Sequence, residues 1–321
     1  MNENDVKKEK LIVILGPTAV EKTALSVELA KRMDTEILSG DSMLVYRGFD
    51  IGSAKPTMEE RQNVRHHLID IREPWESYNV TDFKLEAEQL IHDINQRGKI
   101  PILAGGTGLY VKSLLEGYQF NTTEGDNEYR ASLQKLAEVH GKEYVHAMLE
   151  KVNPEAAARL HVNDFRRVIR ALEVAELGEE QISQEKRLSE QGDLVYDVYV
   201  VGLRRDRKLL YERINKRVDL MLENGLVDEV RRLLTDGISR EMQAMKGIGY
   251  KETAAALAGE MSMEEAAELI KKSTRHFAKR QFTWYRKMPY IHWYDIDDMS
   301  EMEILQTVSK DLAGYFQFMQ K

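Results

Sequence analysis

The 321-residue sequence predicts an α/β protein, a parallel sheet flanked by helices and interrupted by an all-helical insertion. Three observations carry that reading. Over residues 1–100, short apolar runs alternate with helical periodicity, as parallel strands joined by helices do. The apolar run at 11–15 passes through a short turn into a strong helical pattern at 24–32. Residues 121–196 show no convincing strand, and a β-rich run then returns at 198–203.

The expected elements follow in chain order. Strands are expected at 11–15, 36–39, 67–71 and 100–104. Between the last two lies a helix at 82–97, with Thr81 as its N-cap and Gly98 at its C-terminal cap. The insertion holds short amphipathic helices at 128–139, 143–151 and 165–176. Beyond it, 198–203 leads to a long helix at 207–224, with Asp206 before it and Gly225 after it. Two S-x-x-E capping boxes, Ser262 to Glu265 and Ser300 to Glu303, start helices in the final third. The run at 290–294 reads as one more strand of the same sheet. The core is then discontinuous, residues 1–120 with 197–321, around an insertion at 121–196.

Composition bounds the function. A hydrophobic content of 42% fills a real core. Lys and Arg total 46 against 54 Asp and Glu, so the net charge of −8 argues on average against a basic coat for nucleic acid or membrane. The absence of cysteine removes disulfides, thiolate zinc sites and a Cys nucleophile, and makes a reducing cytoplasm the expected location. The start, MNENDVKKEK, lacks the apolar stretch of a secretory signal, and no run approaches the ~20 apolar residues that cross a bilayer.

The chemistry-bearing motif is Gly16-Pro17-Thr18-Ala19-Val20-Glu21-Lys22-Thr23, set between the first strand and its helix. That context defines a phosphate-binding loop. Backbone N–H groups and the positive helix end hold phosphate oxygens, Lys22 adds a point charge, and the Thr23 hydroxyl can ligate Mg²⁺. The pattern G-x-x-x-x-G-K-[ST] has a second glycine where this chain has Glu21, whose carboxylate adds like-charge repulsion beside a diphosphate. An ordinary strand-to-helix turn with a solvated lysine gives the same sequence. Two further turns sit at the carboxyl edge of the expected sheet, where open α/β folds bind ligands. Asp41 and Ser42 follow 36–39, and Gly105-Gly106-Thr107-Gly108 follows 100–104. The second offers a hydroxyl and free amides, suited to an oxyanion more than to a metal. The fold class is therefore refined to a P-loop NTPase-like sheet with an inserted all-helical domain.

With these pieces assembled, the sequence closely resembles the bacterial tRNA dimethylallyltransferases, or tRNA isopentenyltransferases. The matching stretches are GPTAVEKT at 16–23, SGDSMLVYRGFDIGSAKP at 39–56, HHLID at 66–70, GGTGLY at 105–110 and NDFRRVIRALEV at 163–174. ERINKRVDLML at 212–222, GIGYKE at 247–252 and AKRQFTWYRK at 278–287 complete the series in the family's order. Glu21 is the departure, where the family has glycine. The resemblance implies transfer of a dimethylallyl group from dimethylallyl diphosphate, with Mg²⁺, to N6 of the adenine just 3′ of the anticodon. It also implies a helical insertion that grips the anticodon stem-loop, and a compact bacterial form without the C-terminal zinc finger of eukaryotic relatives.

An adenine amine has its lone pair delocalised into the ring, so an acceptor for its proton is needed. By resemblance Asp41 is that general base. Departure of diphosphate calls for preorganised cations and donors, here Lys22, the loop amides, Thr107 and Arg217, with Mg²⁺ held partly by Thr23. Arg213 lies one turn from Arg217 on the same face. The target base is expected to flip into a channel lined by Asp41, Ser42, Met43 and Leu44. Residues 271–287 carry seven positive charges and no acidic residue, interleaved with Phe277, Phe282, Trp284 and Tyr285. Lys279, Arg280 and Trp284 are candidates there for phosphate contact and base stacking, the alternative being a buried aromatic stripe under a solvated basic face. By resemblance Thr107, Arg130, Arg166 and Arg167 also contact tRNA. His66 and His67, pointing to opposite faces, are expected to be structural. The expected partners are tRNA and dimethylallyl diphosphate, no membrane, and a monomer. A P-loop small-molecule kinase, or an RNA-binding relative whose altered loop has lost catalysis, are the competing readings.

Overall fold

The computed structural model describes residues 8–120, 127–176 and 193–317. In chain order the elements are β1 (Lys10–Leu15), α1 (Lys22–Met33), β2 (Ile37–Ser39), α2 (Met58–Arg61), β3 (His66–His67), α3 (Val80–Gln96), β4 (Ile102–Gly105) and α4 (Gly108–Leu115). There follow α5 (Asn127–His140), α6 (Lys142–Val152), α7 (Pro154–Arg159) and α8 (Phe165–Glu176). The chain then returns with β5 (Asp197–Arg204), α9 (Arg207–Glu223), α10 (Leu226–Thr235), α11 (Tyr250–Leu257), α12 (Met263–Tyr285), β6 (Ile291–Asp295) and α13 (Glu301–Phe316). The described residues pack as two units, one from 8–116 with 193–317, the other from 117–120 with 127–176.

The first unit is built on one six-stranded sheet of order β3-β2-β4-β1-β5-β6, every pairing parallel. Strand β1 is apolar and buried from Leu11 to Leu15 because both faces of the sheet are covered there. Leu11, Val13 and Leu15 enter one core with α3, α4 and Tyr285 of α12, while Ile12 and Ile14 enter the other with α1, Ile214 of α9 and α13. Each such buried side chain contributes about 1.5–3 kcal/mol of transfer free energy. The second unit is wholly helical, with its own core of Leu133, Val145, Leu149, Val168 and Leu172.

Two local expectations are corrected. The third strand stops at His67, not at residue 71, because Leu68 and Asp70 take left-handed backbone (φ 61° and 56°). The segment turns away to bond residues 44–45, Asp70 N–H to the Leu44 carbonyl and Ile71 N–H to that of Val45, and the buried Lys55 ammonium takes the Asp70 carboxylate at 2.5 Å. The helix before β4 is capped by Asn79, not Thr81. The Asn79 side chain accepts from the Thr81 and Asp82 N–H groups while Asp82 returns to Asn79, a reciprocal box that places Thr81 inside the first turn. Gly98 does follow the helix with positive φ (74°). Ser262 with Glu265 and Ser300 with Glu303 form complete capping boxes, as expected.

Candidate active site

Strand register brings three sequence-distant turns together. Leu15 pairs with Gly105, and Ser39 with Ala104, so the chain leaves β1, β2 and β4 at adjacent points of the carboxyl edge. The turns after β2 and β4 touch backbone to backbone. A Cβ on Gly105 would lie 2.5 Å from the Gly40 backbone, so only glycine permits the approach. Thr107 N–H donates to the Gly40 carbonyl at 3.2 Å, and Ser42 N–H to Thr107 Oγ1 at 3.2 Å. Asp41 is thereby held between two residues bonded to Thr107, and its own Oδ1 accepts from Met43 N–H at 2.8 Å.

The loop from Gly16 to Thr23 joins β1 to α1 as expected. Lys22 folds back over it, its Nζ donating to the carbonyls of Gly16 (3.0 Å) and Pro17 (2.8 Å). Burial and the neighbouring Arg217 charge push the Lys22 ammonium down to about 8, against an opposing pull from Asp41. Glu21 caps α1 in left-handed backbone (φ 64°), the conformation for which glycine is suited. Its carboxylate is not left facing the loop alone. Arg205 of the segment after β5 donates to it at 3.1 Å, and Arg213 of α9 also pairs with it. Arg213 and Arg217, which share a face of α9, thus divide their tasks: the first pairs with Glu21, and the charge of the second acts on Asp41 and Lys22.

Arg217 is partly buried, and desolvation lowers its pKa while Glu60 and Asp41 raise it; a guanidinium remains cationic under such a shift. Asp41 is also partly buried. Desolvation raises its pKa, and the Met43 and Leu44 amides, Lys22 and Arg217 pull it back. A cavity of about 460 Å³ collects these groups. Thr18, Ala19, Glu21, Lys22, Thr23 and Arg217 line one part, with Asp41, Ser42, Met43 and Leu44 beside them. Gly16, Pro17 and Val20 lie beneath, buried, and Val20 belongs to the core.

At the sequence level this arrangement matches a known family. The sequence model described as IPP transferase matches residues 44–288. The tRNA dimethylallyltransferase of Bacillus cytotoxicus is 47% identical over 307 residues, covering 95% of this chain and 96% of the relative. The chain belongs to the tRNA dimethylallyltransferase family. Its fold agrees with solved structures. The crystal structure of the full-length tRNA isopentenylpyrophosphate transferase from Bacillus halodurans superimposes with a TM-score of 0.73 at 43% identity, covering 97% of each chain. A eukaryotic dimethylallyltransferase, described in crystallographic snapshots of the enzyme acting on tRNA, gives a TM-score of 0.79 at 28% identity, covering 95% of this chain and 80% of that one. This chain is therefore an enzyme of the prenyltransferase class.

The remaining candidates of this dimethylallyltransferase-family chain fall in different places. Arg280 lines the cavity, its guanidinium 5.8 Å from the Phe277 ring centre, and Lys279 is exposed beside it. The aromatics of α12 are mostly packing: Tyr285 is fully buried, and Phe282 and Trp284 rest against the cores. Lys271 pairs with Asp219 and Glu268. In the helical unit, Arg130 and Arg170 both pair with the buried Glu173, whereas Arg166 and Arg167 are exposed. His67 bonds Glu36 at 2.7 Å, and His66 bonds the Val64 carbonyl while also lining the cavity. The sequence reading missed Lys246, which precedes the GIGYKE segment, Ile248 and Lys251 within it, and Gln281 of α12, all of which line the cavity. Gln281 had a signal: it is a polar residue in the buried stripe that runs through Ala278 and Tyr285.

The tRNA dimethylallyltransferase fold also allows a test of Mg²⁺ against the residues present. Among the described residues no group of three or more His, Asp or Glu is placed to hold a metal. Thr23 supplies one hydroxyl at the cavity wall. Mg²⁺ keeps several waters and binds through few protein ligands plus substrate phosphates, so this sparse donor set fits an ion that arrives with a diphosphate.

Proposed function

We propose that this protein transfers a dimethylallyl group from dimethylallyl diphosphate to N6 of the adenine 3′-adjacent to the anticodon in tRNA. The observation that carries the reading is the placement of a carboxylate, Asp41, and two cations, Lys22 and Arg217, all three partly buried, around one cavity. The dimethylallyltransferase activity of the relatives supports it. In the proposed step the N6 lone pair forms a bond to the allylic carbon, the carbon–oxygen bond breaks, and its electron pair leaves on diphosphate. The N6 proton passes to Asp41 Oδ, whose basicity is kept up by burial. Lys22, Arg217, the amides of the α1 first turn and the Thr107 hydroxyl face the developing negative charge. Mg²⁺, held in part by Thr23, would supply further charge neutralisation when bound. Arg280, Lys279 and the exposed Arg166 and Arg167 would meet the RNA backbone, with Arg130 and Trp284 in supporting positions. A tRNA substrate is in keeping with a cytoplasmic location, and the proposed state is a monomer.

The test incubates the protein with dimethylallyl diphosphate, Mg²⁺ and an anticodon stem-loop bearing the target adenine, and reads the RNA by mass spectrometry. A gain of one dimethylallyl group is the expected result. RNA binding without a mass gain, or ATP-dependent phosphorylation of a small acceptor, would overturn the reading.

Glu21 gives a second expected outcome. Glu21→Gly relieves a left-handed non-glycine position, removes a like charge, and leaves Arg205 and Arg213 facing the loop. Inorganic diphosphate is expected to bind about 3- to 10-fold more tightly by calorimetry, the scale of one partly exposed charge contact. Equal or weaker affinity would show that the arginine pairs already cancel the carboxylate.

A further inference from the structure

Helix α12 enters the site through two side chains that the proposed chemistry does not use. Gln281 is 3% exposed, and its amide is satisfied at both ends: Thr18 N–H donates to Oε1 at 3.1 Å, and Nε2 donates to the Gly106 carbonyl at 2.9 Å. One turn on, the buried Tyr285 hydroxyl lies 3.1 Å from both the Gly16 and the Gly106 carbonyls. The fit is close, since a Cβ on Gly106 would stand 2.4 Å from Gln281 Nε2. Gly106 is followed by Thr107, whose N–H and Oγ1 hold Gly40 and Ser42 on either side of Asp41. An unbroken hydrogen-bonded path therefore runs from the phosphate loop, through Gln281, to the turn that carries the carboxylate.

We infer that Gln281 is a positioning residue for group transfer, fixing the separation between the diphosphate loop and the Asp41 turn. The inference rests on the function proposed above. Thr18 N–H is committed to Gln281, so that residue acts on the loop's geometry rather than as a phosphate donor. Buried amides satisfied at both ends rigidify their surroundings. Alignment of two reactants is worth large rate factors, and a misplacement of about 1 Å costs about 10²-fold. The same helix exposes Lys279 and Arg280, so RNA seated on α12 and diphosphate seated in the loop bear on one rigid element.

The test compares wild-type protein with Gln281→Met, which keeps the side-chain length and removes both hydrogen bonds. The expected result is a fall in kcat of about 10- to 100-fold, with KM for the stem-loop and the inhibition constant of inorganic diphosphate moving by less than about threefold. A second readout is the share of turnovers that end in dimethylallyl alcohol. There the oxygen of water bonds the allylic carbon, diphosphate leaves with the electron pair, and the proton passes to solvent. That share is expected to rise, because a misaligned amine captures less of the departing group, whereas simple loss of folded protein lowers both products together. If Gln281→Met does not fold, Tyr285→Phe, which removes only a hydroxyl, is expected to show the same split. An unchanged kcat, or a kcat loss matched by equal loss of diphosphate affinity, overturns the inference while transfer by the wild type stands. Absence of transfer by the wild type overturns the proposed function and this inference with it.

Discussion

Replacing Asp41 with asparagine is expected to lower kcat by about 10²- to 10⁴-fold, the range over which a positioned general base contributes. The substitution preserves shape, and an amide oxygen can still accept from Met43 N–H as the carboxylate does at 2.8 Å. What it removes is the proton acceptor and one negative charge beside Lys22 and Arg217. Affinity for inorganic diphosphate is therefore expected to hold or to rise slightly, because the same two cations keep their places. The pH profile supplies a check on sign. Burial raises the Asp41 pKa, and the base works only when ionised, so the wild-type rate should climb as pH rises through that value. That rising limb should vanish from the residual activity of Asp41→Asn. A kcat equal to wild type would take Asp41 out of the chemistry.

Lys22→Met is expected to reduce kcat by about 10²- to 10³-fold, the usual loss when one preorganised donor to a developing oxyanion is removed. It should also remove a pH dependence. In the free protein the Lys22 ammonium titrates near 8, and only the protonated form attracts an anion. Diphosphate affinity should thus be full below pH 8 and weaken as pH rises beyond it, relative to the variant, which lacks the group. The folding linkage has a definite sign as well. The folded-state pKa lies below the ordinary lysine value of 10.5, so between about pH 8 and 10.5 the unfolded chain holds more protons, and stability attributable to this group rises with pH across that window. Calorimetric titrations of wild type and variant with inorganic diphosphate at about pH 7 and pH 9 check the first point, and thermal unfolding of both at about pH 8 and pH 9.5 checks the second; identical pH slopes for wild type and variant would show that Lys22 does not titrate there.

The sequence made the sheet legible because its strands are buried on both faces and read as apolar runs between capped helices. Six strands were expected, and among the described residues six form one sheet, all parallel. It was misleading where a local rule met tertiary demand. Residues 68–71 carry β-compatible side chains, yet the buried Lys55 draws Asp70 into a turn and ends the strand early. Thr81 is an acceptable N-cap, but Asn79 with Asp82 makes a better one two residues upstream. In α12 the alternation of cations and aromatics suits either RNA stacking or core packing; the sheet beneath it, through Gly16 and Gly106, takes up Tyr285 as packing.

By itself the sequence determined the order of elements, the turn from Gly16 to Thr23 with its lysine and threonine, the carboxylate after the second strand, and the family. Those features are local, since each depends on residues that adjoin along the chain. Only the tertiary structure decided that Arg205 and Arg213 converge on Glu21, that the Arg217 charge bears on Asp41 and Lys22, and that Gln281 spans from Thr18 to Gly106. These partners stand 184, 192, 263 and 175 residues apart where they form hydrogen bonds, separations across which no periodicity or capping rule operates. Their meeting is fixed by strand register and helix packing, which set distances in space that the linear order of residues does not contain.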